Sequence, residues 1–208
     1  SEWIKIISTA HEVGLPTTAT IMYGHVDSPI DWANHLDIIR SIQKKTRGFT
    51  EFVPLSFVYE NSPLYIKNKN FVRKGPSLDE AYNMHAVSRI MLNGYINNIQ
   101  VSWTKLGPEV AKNTLDLGVN DFGGTLMNES ISRSAGSKYG QEITSLEMVK
   151  IIRASGKTPI QRNTLYKVIK TFKSNDPKYI EPLVSRGDLD PIKFLNQKTN
   201  SIKPTNIH

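Results

Sequence analysis

An α/β protein with parallel strands is what this sequence predicts, and two observations predict it. Four times a short apolar, strand-like run ends in polar residues, and the next segment reads as a helix or as an excursion leading into one. The runs are residues 15–25, 49–57, 96–105 and 118–129. Parallel strands need a crossover between them, usually a helix, so this alternation builds parallel sheets or β/α barrels. The second observation is length. The 208 residues suffice for one domain with a substantial core, yet a complete β/α barrel takes roughly 250 residues and eight strands. Chemistry in such a barrel sits at the carboxyl ends of the strands, so the polar residues that close the four runs are the candidate site.

Taken in order, residues 2–13 read as a helix, with Trp3, Ile6, Ile7 and Ala10 at helical spacing and Gly14 as its terminator. The first strand covers about 17–22, and a second helix runs over 31–46 with Trp32, His35, Leu36 and Ile39 on one side. The second strand is 49–57. Residues 58–76 form a long excursion of the kind often used as a lid or binding loop. Ser77 and Glu80 make a capping box that opens a helix to about Asn93. Next come a third strand over 96–104, a short helix over 108–117 opened by Pro108, and a fourth strand from Val119. Residues 127–135 look helical. Thr144 and Glu147 cap another helix to Ser155, and 158–166 read as extended, turning helical near Val168.

The chain contains no cysteine. That excludes disulfides, thiolate-held zinc, iron–sulfur ligation and a cysteine nucleophile from these residues, and no His-Glu-x-x-His or Gly-x-Ser-x-Gly spacing replaces them. No metal ligands are therefore assigned. The net charge is +7 and uneven: from Lys157 onward ten Lys or Arg face four Asp or Glu. A basic end is compatible with nucleic acid, but no aromatic stacking pattern accompanies it, and a solvated surface is the expectation. No run of about 18 apolar residues and no signal-peptide pattern occurs, so the expectation is a cytoplasmic protein away from membranes.

At the end of the first strand, alternation puts Thr18, Thr20 and Met22 on one face and Ala19, Ile21 and Tyr23 on the other. His25 comes next, either a structural hydrogen-bonding residue or a catalytic one. Glu51 lies inside an apolar strand, where a carboxylate needs an ion pair or a function. Gln100, Ser102 and Thr104 alternate ahead of Lys105, lining either a ligand or a solvent-facing edge. Asn120, Asp121, Gly123, Gly124, Thr125 and Glu129 form the densest cluster. Its two glycines bring backbone N–H groups close to an anion or a ring, or make a tight turn. From the residues alone, the reading is an α/β ligand-binding face.

Four segments carry a resemblance. Thr17-Thr-Ala-Thr-Ile-Met-Tyr-Gly-His25, Thr50-Glu-Phe-Val-Pro-Leu55, Asn98-Ile-Gln-Val-Ser-Trp-Thr-Lys-Leu-Gly107 and the run from Asn120 to Gly136 resemble the CofH family of radical S-adenosylmethionine enzymes over about Trp3 to Tyr166. Related menaquinone-pathway enzymes, aminofutalosine synthase and the futalosine cyclase, share the Tyr-Gly-His segment and a Gln-x-x-Thr-x-Gly-Phe segment like 43–49. The resemblance implies the C-terminal half of a (β/α)8 TIM-type barrel, about strands five to eight, over 1–166, with a basic, helical or partly mobile tail over 167–208. It implies S-adenosylmethionine and a 4Fe-4S cluster as cofactors. It further implies L-tyrosine and 5-amino-6-(D-ribitylamino)uracil as substrates, and a CofG subunit or fused domain as partner in making a deazaflavin coenzyme.

Thr20-x-Met22-x-Gly24-x-x-Asp27 is similar to the family's Gly-x-Ile-x-Gly-x-x-Glu motif behind the adenine. It places Thr20, Met22, Gly24 and His25 at the cofactor. Glu51, Gln100, Lys105, Asn120, Asp121 and Thr125 are the expected substrate-binding residues, from strand-end position. Arg47 stands where relatives usually have Gly. The family holds its cluster through Cys-x-x-x-Cys-x-x-Cys after the first strand, which this sequence lacks. The chain thus reads as lacking the N-terminal half, and is expected to be inactive alone. A menaquinone-pathway enzyme and a cluster-free binding or assembly module are the competing readings.

Overall fold

The computed structural model describes residues 1–126, 129–140 and 142–173. Helix α1 (Glu2–Glu12) leads into strand β1 (Thr17–Tyr23), and α2 (Pro29–Thr46) returns the chain to β2 (Phe49–Ser56), which pairs with β1 in parallel. Helices α3 (Pro63–Lys67) and α4 (Leu78–Leu92) come next, then α5 (Trp103–Leu106), α6 (Pro108–Thr114) and a 3-10 turn over Leu115–Leu117. Helices α7 (Ser130–Ser134) and α8 (Ser145–Ala154) precede an antiparallel hairpin of β3 (Ile160–Arg162) and β4 (Val168–Thr171).

The parallel order runs β1, β2, then residues 98–101, then 119–121. The last two are held by parallel bridges, Phe52 with Ile99 and Gln100 with Asp121, rather than by full strands. The expected third strand is thus cut short, and Pro54 gives the reason. Phe52 donates to the Asn98 carbonyl and accepts from the Gln100 N–H. The next donor along β2 would be residue 54, and proline has none. The chain leaves the ladder and Trp103–Leu106 turns helical, so the Gln100, Ser102, Thr104 alternation ends after Gln100. Likewise the helical turn expected near Val168 is strand β4, paired with β3. The helix expected over 127–135 is described as Ser130–Ser134; Met127 and Asn128 lie outside the described residues, as does the tail from position 174.

Both faces of β1 obey the alternation. Ala19, Ile21 and Tyr23 are buried in one core with Trp32, Leu36, Ile39 and Ile42 of α2, Phe52 of β2 and Met84 of α4. Thr18, Thr20 and Met22 face away from the helices and are exposed. Ser28 and Asp31 form a capping box with Pro29 in the first turn, which starts α2 two residues earlier than the apolar spacing indicates. The boxes at Ser77 and Thr144 form as the sequence predicts.

The Gln-x-x-Thr-x-Gly-Phe segment is a structural device. The Gln43 amide donates to the carbonyls of Phe49 and Tyr95 and accepts from the Phe49 N–H, so a buried polar side chain is fully employed. Thr46 and Thr17 hold the two nitrogens of His11 at 2.7 and 2.8 Å, and Gly48 leaves room for that imidazole. Arg47 adopts the left-handed conformation, φ 53°, at the end of α2. Glycine takes that conformation freely and other residues at a cost of roughly 1 kcal/mol.

Candidate functional site

The exits of β1 and β2 are bound to each other and to the excursion beyond. The Phe57 N–H donates to the Tyr23 carbonyl at 2.9 Å, and the Arg73 N–H donates to the His25 carbonyl at 2.8 Å. Gly24 has φ +88°, and a Cβ there would strike the backbone of Pro76. Residues 58–76 therefore fold back against the exit of β1, with Arg73 also ion-paired to Glu80 of α4.

Asp27 organises this turn. Its carboxylate accepts from the Gly24 N–H at 2.9 Å, the His25 N–H at 2.8 Å and the indole N–H of Trp32, and it contacts Nδ1 of His25. Burial raises its pKa, but the N–H of Gly24, the Trp32 indole and the N–H of His25 outweigh that and hold the carboxyl at about 2. The Gly24-x-x-Asp27 spacing is visible in the sequence, which gives Asp27 no place among the cofactor-binding residues; the structure gives it the role of holding the turn. Gly24 is itself buried against Pro76 with its N–H spent on Asp27, so the cofactor contact expected of it is not open in this structure. Gly24→Ala is expected to cost roughly 1–2 kcal/mol in backbone strain alone, with the clash on Pro76 in addition. A lowered unfolding midpoint in urea is the check, and an unchanged one would contradict this packing.

On the helix-free face, Thr20 and Met22 sit with Thr18, Glu51, Val53 and Leu55 by register. Met22 is 51% exposed, an apolar surface open to a flat ring. Deeper, toward the entry of the strands, lies a charged cluster. The Thr18 hydroxyl donates to Glu51 Oε1 at 3.2 Å. Arg162, on β3, donates from Nε to Asp121 and brings Nη2 within 3.8 Å of Glu51 Oε2. The other Asp121 oxygen accepts from the Gly123 N–H at 2.8 Å. Arg162 in turn stacks over the Tyr166 ring at 4.3 Å, and Tyr166 adopts φ 60° to bring the ring there. An ion pair or a function is what the sequence demands for Glu51; the pair is present, and nothing in the sequence singles out its partner Arg162. Gln100 stands beside this cluster, its amide 3.2 Å from where a Gly123 Cβ would be.

The remaining expected residues lie apart. Asn120 accepts from Arg89 and from the Ile99 N–H, both at 2.9 Å. Thr125 is half-buried past Gly124, whose carbonyl takes the Trp103 indole N–H. Lys105 is on α5 and donates to Ser132 at 2.6 Å. Burial pushes its ammonium below the usual range, against the pull of Glu129.

Among the described residues no three His, Cys, Asp or Glu side chains gather as a metal site. With no cysteine in the chain, these residues do not fit an iron–sulfur cluster. Beside the buried Gly24, Thr20 and Met22 leave an exposed surface at the exit of β1. No helix among the described residues is long and apolar enough to cross a membrane.

The profile of a family described as the CofH/MqnC C-terminal region matches residues 46–175, more than half of the chain. The chain is 52% identical over 171 residues to the 5-amino-6-(D-ribitylamino)uracil–L-tyrosine 4-hydroxyphenyl transferase of Methanopyrus kandleri, covering 82% of this chain and 46% of that protein. It is 48% identical over 170 residues to transferase 1 of that description in Methanococcus maripaludis, covering 82% and 47%. It is 52% identical over 166 residues to the FO synthase of Mycobacterium leprae, covering 80% and 19%. The chain thus spans about half the length of the methanogen relatives and about a fifth of the mycobacterial one.

Proposed function

The chain belongs to the CofH/MqnC C-terminal family, and on that premise we propose that it is the C-terminal half of a radical S-adenosylmethionine β/α barrel. In this reading the whole enzyme joins the 4-hydroxybenzyl unit of L-tyrosine to 5-amino-6-(D-ribitylamino)uracil. The observation that carries it is the combination of about 50% identity to such transferases with a parallel strand order that stops at an open edge. Among the described residues β1 pairs on one side only, and Ile6, Leu15 and Met22 are each half exposed or more. A parallel sheet is normally covered on both faces and closed or continued at its edges, so this edge is where further strands would add.

In the division of labour we propose, the exit end of β1 holds the cofactor, with Met22 under the adenine, His25 at its edge and the buried Gly24 shaping the turn behind them. Lys105, Gln100 and Thr125 face the substrates, while Glu51 and Asp121 are held by Arg162 below them. The cluster is supplied by residues outside this chain, so the 208 residues alone would cleave no S-adenosylmethionine. A second chain or domain of the CofG kind would complete the ring; the FO synthases, of which this chain covers about a fifth, are long enough to carry one.

The test is anaerobic reconstitution of the natural full-length enzyme with S-adenosylmethionine, tyrosine and the ribitylaminouracil, with products read by mass spectrometry. A 4-hydroxybenzyl adduct of the uracil supports the reading. The family description also covers MqnC, which favours one other possibility: turnover only with futalosine-type substrates would move the enzyme to menaquinone synthesis.

A further inference from the structure

Beside the exit of β2 a cavity of about 280 Å³ opens between the excursion and α5. Its walls include Ser56 and Phe57 from the end of β2, Gly75 and Pro76 from the excursion, and Lys105 from α5. The Pro76 wall is the surface against which Gly24 is packed, so the cavity adjoins the turn proposed to hold the cofactor. Three features define what it can take. Lys105 is half-buried and makes no ion pair within 4 Å among the described residues. An ammonium has three donors, and among the described residues only one is spent, on Ser132. Lys74 and Lys138 stand on the rim, as does the carboxylate of Glu60. Glu129 acts on this ammonium without pairing to it, its carboxylate being spent on the start of α7, and a partly desolvated cation with two free donors favours a further anion. A rim that carries both signs, with positive charge in excess, matches a zwitterion better than a bare anion. The volume suits a small headgroup rather than a whole nucleotide.

We propose that this cavity seats an α-amino-acid headgroup, with its carboxylate on Lys105 and its ammonium toward Glu60. The assignment rests on the proposed function, which supplies L-tyrosine as the molecule with that headgroup. Binding is to be measured by calorimetric titration of the natural full-length protein and of its Lys105→Met variant. The ligands are L-tyrosine, tyramine, which lacks the carboxylate, and S-adenosylmethionine. The expected result is a loss of roughly 10- to 100-fold in L-tyrosine affinity, the scale of a charge-assisted hydrogen bond, with tyramine unchanged to within about twofold. Lys105→Arg should keep most of the affinity. The same loss for S-adenosylmethionine instead of tyrosine would overturn the assignment to the substrate. Unchanged affinity for both ligands in Lys105→Met would overturn the inference and leave the proposed function standing. A wild-type protein that binds neither would overturn the proposed function, and this inference with it. If Lys105→Met melts below the titration temperature, Lys138→Glu carries the test: headgroup binding must weaken, and equal binding overturns the proposal.

Discussion

Arg162→Met is expected to cost about 2–3 kcal/mol of folding stability, well above the effect of an ordinary surface ion pair. The reason is where its two partners lie. The side chains of Asp121 and Glu51 are only 9% and 12% exposed, and Arg162 itself is 27% exposed. Removing the cation leaves two carboxylates unpaired in a half-dry setting, with the Thr18 hydroxyl and the Tyr166 hydroxyl beside Glu51 and the Gly123 N–H on Asp121. Two measurements check this. Urea denaturation should show the loss, and it should shrink by about 1–3 kcal/mol when Asp121→Asn is already present, because the two residues share one interaction. Hydrogen exchange at Gly123 should accelerate in Arg162→Met, since the Asp121 carboxylate that accepts its N–H is no longer held. A loss under about 0.5 kcal/mol, the scale of a neutral surface change, would mean that the hairpin does not anchor the parallel strands.

Acid is expected to weaken the fold well before the carboxylates titrate, through His85. This imidazole on α4 is fully buried; Nδ1 bonds the Ala81 carbonyl at 2.7 Å, and Nε2 has no partner among the described residues. Burial drives its pKa down to about 4, with the Ala81 carbonyl pulling the other way. The unfolded chain protonates near 6.5. Between those values the unfolded state binds the proton that the native state refuses. The contribution is therefore complete above about pH 6.5 and lost as pH falls toward 4, by about 2–3 kcal/mol. His11, also lowered by burial, adds in the same direction, so the comparison must be made within a pair. Urea midpoints of wild type and His85→Leu at pH 7.5 and pH 4.5 isolate the effect. The leucine variant should lose distinctly less stability on acidification. Parallel losses in both proteins would show that His85 is not the proton acceptor. Asp27, held at about 2, acts in a lower window. Its contribution is present above about pH 4 and goes as pH falls through 2.

How much of this is legible in the sequence depends on the range of the interactions. The alternation over Thr17–Tyr23 and the capping boxes at Ser77 and Thr144 are local, and the structure has them where the sequence puts them. The helix of Trp103–Leu106 departs from the sequence expectation, because Val101, Trp103 and Thr104 are residues that favour strands. The information lies in Pro54, on the neighbouring strand. Glu51 announces that it needs a partner, but Arg162 lies 111 positions away in the sequence, and nothing local to either residue names the other. The candidate site divides the same way. Gly24 and His25 are expected at a strand exit and are found there; the cavity at Lys105 depends on α5 and on residues 58–76 folding back, which no spacing encodes.

Pro54 has a consequence for how the chain finds its pairing. Residues 98–101 must dock beside β2 from more than 40 positions away, a slow non-local search in which a neighbouring register is the obvious error. Sliding the segment two residues forward would ask residue 54 to donate to the Asn98 carbonyl, and it has no hydrogen to give. Sliding it two residues back would place the Gln100 N–H on the Thr50 carbonyl, which in the native pairing accepts from the Asn98 side chain at 3.0 Å. The forward alignment thus forfeits a ladder bond at Pro54, and the backward one displaces the Asn98 side chain, so the proline that shortens the strand also guards one side of its register.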